Sequence, residues 1–79
     1  MTSKEKALFG MNVFWKDSKK FVIVEIDNFG IEKLAETDFF AAAILAFTAF
    51  CRDLPRKNLR LMQRTGKDSV HQVCYREGI

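Results

Sequence analysis

Residues 39–51 read FFAAAILAFTAFC, thirteen positions with one polar side chain, Thr48. A bilayer span needs about 20 apolar residues, so this stretch reads as a buried helix at the heart of a small domain. A helix that is apolar all round must be covered on more than one side. A chain of 79 residues has little with which to do that. The shortfall points to a partner surface.

The helix is expected from Asp38 to Asp53, with Thr37-Asp38 as its N-cap and Arg52 complementing the dipole of its last turn. Pro55 forces Leu54 out of helical geometry and stops it. Stepping 100° per residue places Phe39, Phe40, Ala43, Ile44, Phe47, Phe50, Cys51 and Leu54 in one sector. Ala41, Ala42, Leu45, Ala46, Thr48 and Ala49 fill the other. The large face is expected to pack on a sheet, each buried Phe contributing about 1.5–3 kcal/mol. The small face carries no charge from Ala41 to Ala49, although a solvated face normally shows Lys, Glu or Arg. Alanine tolerates exposure, yet small side chains also let a second helix approach closely.

Strands flank the helix on both sides. Phe21 to Ile26 is the strongest strand signal, FVIVEI, and Lys20 begins it. Residues Met11 to Trp15 read as an earlier strand, joined to it through Asp17-Ser18-Lys19 as a hairpin. Asp27-Asn28-Phe29-Gly30 is turn chemistry. Ile31 to Glu36 reads as a third strand, the competing reading being a long helix that begins after Gly30. Beyond Pro55, Leu59 to Thr65 and Val70 to Arg76 form two more strands around a turn at Gly66-Lys67-Asp68-Ser69. The order strand-strand-(strand)-helix-strand-strand predicts a single α+β domain over residues 1–79: a small antiparallel sheet with one apolar helix on one face. Residues 1–10 are expected to form a flexible N-terminal segment.

One helix covers one sheet face and leaves the other open. With Leu61 and Cys74 inward, that outer face would show Arg60, Met62, Arg64, His71, Val73 and Tyr75. With Val22, Val24 and Ile26 inward beside Val13 and Trp15, it would also show Phe14, Phe21 and Ile23. The expected partner or dimer interface is therefore Ala42, Leu45, Ala46, Ala49, Phe14, Phe21, Met62 and Tyr75.

Charge is unevenly placed. Residues 1–38 carry six bases and seven acids, residues 39–79 seven bases and three acids, for a total of +3. Arg52, Arg56, Lys57, Arg60, Arg64 and Lys67 face one acid, Asp53, within their span. They suit an acidic partner or a nucleic-acid backbone, with Tyr75, Phe14 or Phe21 as stacking faces. No aromatic-glycine RNA signature and no polar recognition helix accompanies them.

Other chemistries find little footing. The one histidine, His71, and the two cysteines, Cys51 and Cys74, are dispersed and fall short of a zinc set. Neither Ser69 nor any threonine has an evident base and oxyanion hole. Glu25, Asp27, Glu32 and Glu36 read as solvated strand and turn positions. No Gly-rich phosphate loop occurs. No enzyme activity, cofactor, metal or small-molecule substrate is expected. The thiols suit a reducing cytoplasm. The N-terminal run that imitates a signal peptide is broken by Asn12 and lacks a cleavage site. The resulting expectation is a cytoplasmic, non-enzymatic interaction protein, homodimeric, that regulates or inhibits a macromolecular partner. The alternative is a basic nucleic-acid-binding module built on Arg52–Lys67.

Overall fold

A computed structural model describes residues 18–66 and 69–79. Within them the chain runs β1 (Phe21–Ile26), β2 (Ile31–Thr37), α1 (Phe40–Asp53), β3 (Asn58–Arg64) and β4 (Val70–Arg76). The strands form one antiparallel sheet in the order β2-β1-β3-β4. This is the α+β fold read from the sequence, and residues 31–37 are strand, not helix. The strand expected at Met11–Trp15 and the segment 1–10 lie outside the described residues. β2 and β3 occupy the two edges of β1.

β1 is central, and its near-continuous apolar run explains why: every residue is buried, so neither face tolerates polar alternation. Phe21 and Ile23 lie toward α1 with Leu59, Leu61, Ala43 and Phe47. Val22, Val24 and Ile26 form a second cluster on the opposite face with Met62, flanked by Ile31 and Val70. The inward set in β1 is thus the reverse of the one expected. The open outer face is also corrected, because Val22 and Val24 are at most 1% exposed.

The turn between β1 and β2 is held by Asp27. Its Oδ1 accepts from Phe29 N at 2.7 Å and from Gly30 N at 2.9 Å. Gly30 adopts φ +154°, a conformation that only glycine takes easily.

Both edge strands carry a bulge. Ile23 pairs with Ala35 and Val24 with Lys33, so Leu34 is an extra residue. Leu61 pairs with Cys74 and Met62 with Gln72, so Val73 is extra. Leu34 and Val73 both pack against the cluster beneath α1. Bulges increase local twist, and here each edge adds one apolar residue to the helix side. The strict alternation expected for β4 therefore fails: Val73 joins Cys74 under the helix and does not share a face with Tyr75.

The helix begins later than expected. Phe39 holds the N-cap position without a side-chain cap, and Ala43 N donates to its carbonyl at 3.0 Å. Thr37 Oγ1 accepts from Phe39 N, while Asp38 Oδ1 accepts from Lys20 N at 3.0 Å. The Asp38 carboxylate thus ties the helix start to the start of β1 and caps nothing.

Candidate interaction surface

The helix docks through Ala43 and Phe47, with Ile44, Ala46, Phe50 and Cys51 partly buried around them. Two members of the expected large face depart from it. Phe39 is 73% and Phe40 55% exposed, although Phe40 keeps an edge contact with Phe21 at 5.7 Å. By angle both belong with the buried positions 43, 47 and 50; what sets them apart is their place at the N-terminal end of the helix, Phe39 as the N-cap and Phe40 as the first helical residue. Ala46, expected at the interface, instead packs against the core.

The outward face of α1 presents Ala41, Ala42, Leu45 and Thr48, with Ala49 half-buried at its side. Leu45 is 72% exposed. Thr48 Oγ1 donates to the Ile44 carbonyl at 2.9 Å, so its hydroxyl is turned back into the helix. With Phe39 and Phe40 at the N-terminal end, the exposed surface of this helix is apolar until Arg52.

The remaining candidates separate. Phe21 is 3% and Met62 1% exposed, so neither offers contact surface. Tyr75 is exposed, but its ring lies 4.9 Å from the Arg60 guanidinium carbon. Phe14 lies outside the described residues.

Among the described residues, the five bases Arg52, Arg56, Lys57, Arg60 and Arg64 do not gather into one patch. Lys67 lies outside the described residues. Arg60 is buried on the sheet face opposite α1, donating to the Leu59 carbonyl at 3.0 Å and to Glu77 at 2.9 Å. Arg64 donates to the Ser18 carbonyl. Lys57 pairs with Glu25 at 3.1 Å, and that hydrogen bond and charge raise the lysine pKa. Glu25 stands opposite Glu32 in the ladder, so Lys57 offsets a like-charge pair. Arg52 lies 3.4 Å from Asp53 at the surface, and Arg56 is exposed. The sequence clusters these residues by number, but alternation in β3 sends its arginines to the face away from the helix end.

Arg76 escaped the sequence reading. It lies on the helix side of β4 and donates to the carbonyls of Cys51 and Pro55, each at 3.1 Å, and to that of Leu54. The signal was available: an inward Cys74 implies an inward Arg76 two residues on. Cys51 and Cys74 are both free and partly buried, and desolvation pushes the Cys74 thiol upward. Among the described residues no group of three His, Cys, Asp or Glu side chains gathers. No described helix is long and apolar enough to cross a membrane.

A scan of protein-family models, a search of curated proteins and a search of solved structures each found no match for this chain.

Proposed function

We propose that this chain is a small non-enzymatic interaction protein that self-associates through α1 and, as a homodimer in the cytoplasm, binds and regulates or inhibits a macromolecular partner. The observation that carries this reading is Leu45, 72% exposed at the centre of a helix face with no charge from Ala41 to Ala49. Leaving such a face in water forfeits about 25 cal/mol for each Å² of apolar area that a partner would cover. Two free thiols agree with a reducing compartment. The nucleic-acid reading draws less support, because Lys57, Arg60 and Arg64 are engaged in contacts within the fold.

Molar mass by light scattering over a concentration series tests the association. A species near 18 kDa, twice the 9.1 kDa chain, is expected to fall to monomer mass in Leu45→Glu. A wild-type chain that stays monomeric throughout, or a Leu45→Glu dimer of unchanged affinity, removes α1 from the role.

A further inference from the structure

Asp38 precedes Leu45 by seven residues and Arg52 follows it by seven. These two charges bound the uncharged face of α1, one beyond each end, and both are exposed, with side-chain exposures of 58% and 78%. A twofold axis through Leu45 reverses the second helix. It sets Leu45 against Leu45, Ala41 against Ala49 and Ala42 against Thr48, and it brings Asp38 of each copy toward Arg52 of the other. A parallel arrangement sets Asp38 against Asp38 and Arg52 against Arg52. The antiparallel arrangement also opposes the two helix dipoles.

We propose that the occupant of this face is the α1 helix of a second copy, antiparallel and centred on Leu45, with two reciprocal Asp38–Arg52 pairs closing its ends. This deepens the self-association reading above and rests on it. A twofold contact must be self-complementary, and this face is so in size as well as charge. Leu45 is its one large residue, with alanines on both sides along the helix to receive the partner's Leu45. Within one copy these charges make exposed contacts: Asp38 accepts from Lys20 N at 3.0 Å through Oδ1 and pairs with Lys19 at 3.8 Å through Oδ2, and Arg52 pairs with Asp53 at 3.4 Å. Exposed pairs of that kind are weak and exchange readily. One helix pair covers less than the roughly 800 Å² per partner of a standard interface, so micromolar rather than nanomolar association is expected.

Crosslinking decides the direction. In a Cys51→Ser, Cys74→Ser background, Ala41→Cys and Ala49→Cys are prepared separately and treated with a short bismaleimide. In the antiparallel arrangement the two thiols introduced at position 41 would stand about 12 Å apart along the axis, at 1.5 Å per residue. Crosslinked dimer should therefore form in the 1:1 mixture and scarcely in either variant alone. Self-crosslinking of each variant alone would overturn the antiparallel arrangement while leaving α1 as the contact. No crosslink from a chain still dimeric by mass would overturn the α1 reading as well. No crosslink and monomer mass from about 1 µM to about 1 mM would remove self-association altogether. Charge exchange supplies a second measurement on the native cysteines. Asp38→Arg and Arg52→Asp should each weaken the dimer about tenfold, and the double variant should recover most of that loss. A double variant no tighter than its parents would overturn the reciprocal pairs.

Discussion

Arg76 holds the end of the helix from across the domain: its Nη1 donates to the Cys51 carbonyl at 3.1 Å, spanning 25 residues of sequence. The same guanidinium reaches the carbonyls of Leu54 and Pro55. The last carbonyls of a helix have no partner within it. Here one side chain from β4 supplies donors to three of the carbonyls where the chain leaves the helix, and its positive charge meets the negative end of the dipole.

Arg76→Ala should therefore destabilise the domain by about 1.5–3 kcal/mol, the usual range for losing a charged hydrogen-bond donor. Urea unfolding followed by circular dichroism measures it. Arg76→Lys, which cannot fork among three carbonyls, should recover only part of the loss. A midpoint unchanged in Arg76→Ala would show that water replaces the guanidinium without cost.

Gly78 approaches the same turn from the other side. Its N donates to Asn58 Oδ1 at 2.7 Å, and Ile79 N donates to the Pro55 carbonyl at 2.9 Å. A Cβ on Gly78 would stand 2.4 Å from the Arg56 carbonyl oxygen and 2.7 Å from its carbon. Both obstacles are backbone, so the turn or the tail must move. Gly78→Ala should cost about 1–3 kcal/mol by overpacking, with amide exchange rising at Gly78 and Ile79. Wild-type stability in that variant would mean that the tail lifts away freely.

The arginines should divide by position. Arg60→Ala strips Glu77 and Tyr75 of a buried partner and should lower stability by about 1.5–3 kcal/mol. Arg56→Ala, at an exposed turn position, should stay within about 0.5 kcal/mol of wild type. Chemical denaturation of both variants checks this. Equal effects would remove the distinction between a structural arginine and a surface one.

Glu36 should titrate below the ordinary glutamate value of 4.5. The backbone hydrogen bond from Lys19 N, at 3.1 Å, is the main cause, opposed by desolvation and assisted by Lys33 at 3.3 Å. Its folded pKa is lower than its unfolded one. Its contribution to stability is therefore present above the unfolded value and lost as pH falls through the folded value. Carbon-detected NMR titration should place its midpoint below 4.5, and Glu36→Gln should flatten the stability profile in that acid window. A midpoint at or above 4.5 would contradict the hydrogen-bonded geometry.

The turns and strands near β1 were legible because local chemistry decides them. FVIVEI is β-branched and apolar, Asp27 and Gly30 close a turn within four residues, and Pro55 ends the helix by sterics alone. The candidate surface was legible only in part. Leu45 and Ala42 stand outward as periodicity requires, whereas Ala46 faces the core and Phe21 and Met62 are buried. Helical periodicity did give the side that meets the sheet, since Ala43, Ile44, Phe47, Phe50 and Cys51 dock as expected, but not how far round the contact reaches, and Ala46 lies at the border of the two sectors.

What the order of residues determined by itself is the run of elements from β1 to β4 and the fold class, since hydrophobic period, turn residues and the single proline act within a few positions of themselves. Only tertiary structure decided which face of β1 meets the helix, where the arginines end, and that Arg76 closes the helix. A strand's period of two offers two registers that the chain's own pattern scarcely distinguishes, and bulges at Leu34 and Val73 reset that period on both edges. Contacts between residues far apart in the chain are settled by packing the whole sheet at once.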